Sequence, residues 1–159
     1  MTEERKGDDR RGLRFSPLMD RFIRSVSDLH TLLYRRTGGR VAGTLMGGEI
    51  LLLTTTGRRS GQKRTTPLLY IPDGERFVVV ASKGGAQSHP AWWLNLSANP
   101  RAEIEVAGRK LPVHATEPPK PERERLWRAA LRVYPTYQSY QDRTSRRIPV
   151  VILDPVIED

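Results

Sequence analysis

The chain contains no cysteine. That excludes disulfides, thiolate metal sites and cysteine nucleophiles, and it leaves the redox compartment open. No stretch approaches the roughly 20 apolar residues that a bilayer-spanning helix needs. The opening residues, MTEERKGDDRRGLR, lack the apolar core of a secretory signal. The expectation is a soluble cytoplasmic protein, with attachment to a membrane surface left open. Acidic residues are also in deficit: 18 Asp plus Glu face 27 Lys plus Arg, a formal net charge of +9. Such a balance favours anionic partners, whether phosphorylated cofactors, nucleic acid or lipid headgroups.

Further absences narrow the chemistry. His30, His89 and His114 are far apart and show no metal-ligand spacing. No GxSxG elbow is present, and no GxGxxG follows a strand, so hydrolase and Rossmann readings lack their signatures. The positive charge is scattered rather than gathered on one helix or strand, which argues against a nucleic-acid partner. No segment reads as an oligomer interface.

With 159 residues the chain suits one domain. Residues 1–15 alternate acidic and basic side chains with almost nothing to bury and are expected to form a disordered tail. The domain then covers 16–159. It begins with an amphipathic helix over 17–36, on which Leu18, Phe22, Ile23, Val26, Leu29 and Leu33 recur at three- and four-residue steps.

Strands follow at 49–56, 64–71 and 76–82, the last two joined at Asp73-Gly74. AWWLNLSAN reads as a short helix, 102–106 and 109–115 as a hairpin across Ala107-Gly108, PKPERERLWRAALRVY as a helix and IPVVILDP as a last strand. Hairpins dominate and no βαβ alternation occurs. The fold class is therefore mainly β with flanking helices, a small closed or split β-barrel. Pro67, Pro112 and Pro149 should mark edges, strand starts or bulges.

Four motifs carry chemistry. GRRSGQKR, from Gly57 to Arg64, is either a solvated hairpin tip or a phosphate grip in which Arg58, Arg59 and Arg64 converge on an anion. Its spacing is not that of a P-loop. The SKGG loop follows an apolar strand, so Ser82 and Lys83 should emerge where ligands commonly enter. Trp92 and Trp93 must point different ways, which suggests that one fills the core while the other meets a ligand. Tyr134, Tyr137 and Tyr140 recur every third residue. On a helical turn they form either a packed stripe or a phenol wall able to donate to an oxygen that becomes anionic.

Taken together, LLLTTTGRRSGQKRTTPLLY, VVVASKGGAQSHPAWWLNLSANP, YPTYQSYQDRT and IPVVILDP resemble the deazaflavin-dependent nitroreductase family. Its members reduce quinones and nitroaromatics with coenzyme F420. The resemblance runs from about Tyr34 to Pro155. It implies a split β-barrel of the flavin-binding, pyridoxamine-phosphate-oxidase-like type.

The same resemblance implies that Arg58, Arg59 and Arg64 hold the coenzyme's phosphate and acidic tail. Thr65, Thr66 and Pro67 would lie beside the ring, Ala81, Ser82 and Lys83 would line the cleft, and Ala91 and Trp92 would close over it. Tyr134, Tyr137 and Tyr140 match the substrate-pocket phenols, and Ser82 and Tyr137 are the catalytic candidates. Leu69 departs from the tyrosine that relatives often carry there. The implied activity is hydride transfer from reduced F420 to a quinone, nitroaromatic or similar conjugated acceptor; the alternative is a carrier that binds F420 or flavin without turnover. The N-terminal helix either covers one end of the barrel or lies on anionic lipid, giving access to a membrane quinone.

Overall fold

The computed structural model describes residues 29, 31, 32, 35, 36, 44, 45 and 47–157. The expected tail at 1–15 and most of the helix expected over 17–36 lie outside the described residues; those of 29–36 that are described are helical. The elements are β1 (Thr44–Leu45), β2 (Gly48–Thr56), β3 (Lys63–Asp73), β4 (Arg76–Val80), a 3-10 turn (Lys83–Gly85) and α1 (Ala91–Ala98). Then come β5 (Arg101–Val106), β6 (Arg109–Thr116), α2 (Lys120–Val133), α3 (Thr136–Arg143) and β7 (Val150–Pro155).

All strand pairings are antiparallel, in the order β2-β3-β4-β7-β6-β5, and β5 returns to β2 to close a six-stranded barrel. The closing register sets Leu53 opposite Ile104, while the short β1 occupies the same edge of β2 nearer its start, with Thr44 opposite Glu49. Closure removes the free edges that an open sheet of this size would expose.

The two-residue period of a strand explains the core. Leu51, Leu53, Val79, Ile104, Val113, Val151 and Leu153 form the barrel interior with Trp92 and Leu96 of α1. The alternate residues, Ile50, Leu52, Leu69, Ile71, Val78, Val80, Val150 and Ile152, form an outer layer under α2 and α3, whose Leu126, Ala130 and Tyr137 pack onto it. β2 and β7 thus read as nearly continuous apolar runs because both of their faces are buried. Pro119 precedes α2, and Leu126, Ala130 and Val133 give it a stripe at three- and four-residue steps.

The turns follow their residues. Gly74 takes φ +62 at the first position of the two-residue loop between Asp73 and Arg76, a conformation that favours glycine. Ala107 (φ +49) and Gly108 (φ +76) link β5 to β6 with both loop residues left-handed. Pro67 and Pro112 sit where β3 and β6 run beyond the reach of β4 and β7, whose pairing begins at Tyr70 and Val113, and Pro149 directly precedes β7. These are edge and strand-start positions, where the missing N–H costs least.

Candidate functional site

Because β3 is antiparallel to both neighbours, β2 and β4 run parallel to each other, and the loops that follow them emerge at the same end of the barrel. The first loop closes on itself: Gly57 donates to the Gln62 carbonyl at 2.8 Å, and Gly61 donates to the Gly57 carbonyl at 2.8 Å. A Cβ on Gly57 would lie 2.7 Å from the Ser60 hydroxyl, which would have to rotate away, and 3.2 Å from the Gln62 carbonyl oxygen. Arg58, Arg59 and Ser60 are left exposed at the tip.

Asn95 of α1 fixes that tip. It is 4% exposed; its side-chain oxygen accepts from the Arg58 backbone N–H at 3.1 Å, and its amide donates to the Thr55 hydroxyl at 3.1 Å. A groove of about 760 Å³ lies between this turn, the start of β3 and α1. Arg35, Arg58, Arg59, Lys63 and Arg64 line it with Thr65, Thr66, Ala91 and Trp92, and no carboxylate is among its lining residues. Arg35 pairs with Glu105 at 3.3 Å, whereas Arg58, Arg59 and Arg64 have no carboxylate partner among the described residues.

Of the residues anticipated as cofactor contacts, the groove collects Arg58, Arg59, Arg64, Thr65, Thr66, Ala91 and Trp92. Pro67, Ala81, Ser82 and Lys83 do not line it. Trp92 combines the two roles expected of separate tryptophans: it is 7% exposed, belongs to the barrel interior and also walls the groove. Trp93 packs against the same interior.

The second loop is strained and well anchored. Lys83, Gly84 and Gly85 all have positive φ (45, 62 and 80), and the Lys83 ammonium donates to Ser88 at 3.1 Å. A Cβ on Gly85 would lie 2.6 Å from the Tyr140 carbonyl oxygen, so only glycine permits this approach of the loop to α3. The Arg146 guanidinium donates to the carbonyls of Ala86 (2.7 Å), Ser82 (2.7 Å) and Ala81 (3.2 Å). It also lies 3.2 Å from His89 Nδ1. Burial, aided by that cation, holds the His89 pKa below its usual value.

The phenols cluster on α3 and at the end of α2. The Tyr134 and Tyr140 hydroxyls are 3.1 Å apart, and the Tyr137 ring meets Tyr134 edge-on at 4.9 Å. Tyr137 is 6% exposed, and burial first, then the neighbouring phenols, pushes its pKa well above the usual value. The Tyr140 pKa is pushed up to about 12, chiefly by its hydrogen bond with Tyr134. None of the three lines the basic groove. Leu69 is buried beside Val133, with Gly48 packed closely against both.

Sequence reasoning missed Thr31, Arg35, Lys63, Asn95 and Arg146. Lys63 stood inside the basic motif and could have been read with it. Asn95 and Arg146 act across 37 to 65 residues of chain, a relation that no local spacing encodes.

The groove suits a large anion with a flat apolar part. It has five cationic lining residues, a tryptophan wall and a volume in the range of small-molecule sites. Thr31 Oγ1, of a lining residue, is the one buried side-chain polar atom without a partner among the described residues. Those residues hold no cluster of metal ligands, and no helix among them is long and apolar enough to cross a membrane.

Fold and groove together define a split β-barrel protein with a cationic groove at one end. The barrel is shared with a Listeria innocua protein described as a pyridoxamine 5′-phosphate oxidase, at TM-score 0.50 and 13% identity, covering 68% of this chain and 84% of that one. The chain matches the model of the F420H(2)-dependent quinone reductase family over residues 26–155 and belongs to that family. It is 44% identical over 129 residues to an F420H(2)-dependent quinone reductase of Mycobacterium tuberculosis, spanning 79% of this chain and 87% of the relative. A solved F420-H2 dependent reductase superposes at TM-score 0.62 with 42% identity, covering 66% of this chain and 93% of that one.

Proposed function

We propose that this chain transfers a hydride from reduced coenzyme F420 to a quinone-like or similarly conjugated acceptor. The carrying observation is the groove lined by Arg58, Arg59 and Arg64 without an opposing carboxylate, in a member of the F420H(2)-dependent quinone reductase family. When bound, the coenzyme supplies the hydride. The protein's task is to grip the anionic part, orient the ring and exclude water.

In this reading Arg58, Arg59 and Arg64 hold the phosphate and acidic tail, with Lys63 and Arg35 extending the cationic wall. Thr65, Thr66, Pro67, Ala81, Ser82 and Lys83 border the ring between the two loops, and Ala91 and Trp92 close the apolar side. The acceptor lies on the α3 side, where Tyr134, Tyr137 and Tyr140 stand. Ser82 and Tyr137 donate hydrogen bonds to the acceptor oxygen as it gains charge. A buried phenol that stays un-ionised throughout the neutral range suits such a donor.

Mixing the protein with reduced F420 and menadione tests this directly. Catalysed reoxidation is the expected result. Coenzyme binding without reoxidation would favour the carrier, and no binding at micromolar coenzyme would refute both. A second reading concerns the acceptor's source. Leu29 and Leu32 are 62% and 48% exposed on the N-terminal helix, which supports contact of that helix with a quinone-bearing membrane. Co-sedimentation with anionic liposomes should then be lost when residues 1–30 are deleted; unchanged sedimentation argues against it.

A further inference from the structure

We propose that Arg146 is a positioning residue that locks the Ser82–Lys83 loop against the tyrosine helix. This inference rests on the coenzyme reading above and adds to it a residue outside the groove lining. Three backbone carbonyls on both sides of the 3-10 turn, those of Ala81, Ser82 and Ala86, point at one guanidinium. The three carbonyls are met by three different nitrogens of one planar fork, a spread that the single nitrogen of an ammonium does not reproduce.

The loop needs such a brace. Lys83 takes φ +45, unfavourable for a residue with a Cβ, and Gly84 and Gly85 continue the left-handed course. Within the loop the backbone closes only through Gly85 N–H to the Ser82 carbonyl at 2.9 Å and Ala86 N–H to the Lys83 carbonyl at 3.1 Å. Arg146 adds a restraint on both sides of the turn from 60 or more residues away.

Arg146 is itself held from α3. Gln141 donates to the Arg146 carbonyl at 2.8 Å and accepts from the Ile148 N–H at 2.9 Å. Beside it, the hydroxyls of Thr144 and Ser145 donate to the Gln87 side chain at 3.0 and 3.2 Å. The restraint therefore runs from the tyrosine helix through Gln141 to Arg146, and through its guanidinium to the loop that leads into α1. Together with the close approach of Gly85 to Tyr140, this side chain sets the distance between the phenols and Ser82 and the entry of the helix that carries Trp92 and Asn95.

The test compares the unsubstituted protein with Arg146→Lys and Arg146→Ala. Without coenzyme, amide exchange at residues 82–86 should quicken about tenfold in both variants, with Val78–Val80 and Val150–Leu153 unchanged. With coenzyme, the F420 Kd should rise and kcat should fall by about tenfold or more, while the menadione KM stays within about twofold. Millimolar guanidinium should partly restore Arg146→Ala. If Arg146→Ala does not fold, Arg146→Lys carries the exchange and kinetic readouts alone.

Unchanged loop exchange overturns the proposal. Faster exchange with normal Kd and kcat also overturns it, by reducing Arg146 to a structural brace. Failure of the unsubstituted protein to bind F420 sinks the coenzyme reading itself, whereas normal binding and turnover by every variant sinks only the role of Arg146.

Discussion

The side-chain oxygen of Asn95 accepts the backbone hydrogen of Arg58 at 3.1 Å, so a residue buried on α1 dictates where the arginine tip of the first loop stands. The same amide donates to Thr55 at the end of β2, and the loop is thereby fixed at its root. Asn95→Ala leaves a buried hydroxyl and a backbone N–H short of a partner. It should cost about 1–3 kcal/mol of stability, measured by urea unfolding, and should weaken F420 binding. Asn95→Asp keeps the acceptor but not the donor, and it should restore only part of the loss.

The cations of the two loops are not equivalent. Arg59 lines the groove and Lys83 does not. Arg59→Ala should remove a charge-assisted contact of about 1.5–3 kcal/mol, roughly 10- to 150-fold in Kd. Lys83→Ala should have a smaller effect. Added salt should weaken binding in the unsubstituted protein; affinity insensitive to salt would contradict the phosphate grip.

Tyr137→Phe should lower kcat by about 100-fold if its hydroxyl serves the developing oxyanion, with the coenzyme Kd changed less than about twofold. The ring packing on Tyr134 is retained in the variant, so stability should hold. Equal losses in turnover and affinity would assign Tyr137 to packing.

Asp73 accepts from Arg125 at 2.9 Å and from Arg76, joining the β3–β4 hairpin to α2, and these bonds lower its pKa to about 2 from 3.8. With the folded value below the unfolded one, the unfolded chain takes up this proton first on acidification. The stabilisation is therefore complete above about pH 4 and disappears as pH falls from about 4 towards about 2. Unfolding curves across that range should be flatter for Asp73→Asn, which should also be less stable at neutral pH.

Ala107 holds φ +49 in a two-residue turn where both positions are left-handed. Ala107→Asn should relieve about 1 kcal/mol and raise the thermal midpoint by about 2–4 °C. An unchanged or lower midpoint would mean that the alanine conformation carries no strain.

The hairpins, the six-strand closure and the flanking helices were legible because alternation, turn residues and prolines all act within a few positions of one another. The arginine turn was legible for the same reason. Asn95 sits among apolar helix residues and Arg146 in an ordinary basic pair, and each gains its role only from backbone groups that the fold brings to it. The double duty of Trp92 was equally hidden, since a wall between core and groove exists only once the barrel end is closed. The absence of Lys83 from the groove lining was hidden too: its ammonium turns to Ser88 instead, in a left-handed turn that only the folded loop defines.

α2 and α3 cover only the wall made by β2, β3, β4 and β7, and the outward residues Arg101, Glu103, Pro112 and His114 of the β5–β6 hairpin remain exposed. That hairpin points its tip away from the end where the Gly57–Gly61 turn emerges. A dye or surface tether fixed near Gly108 would leave the basic groove unobstructed, which gives this barrel a ready handle for single-molecule observation of ligand capture.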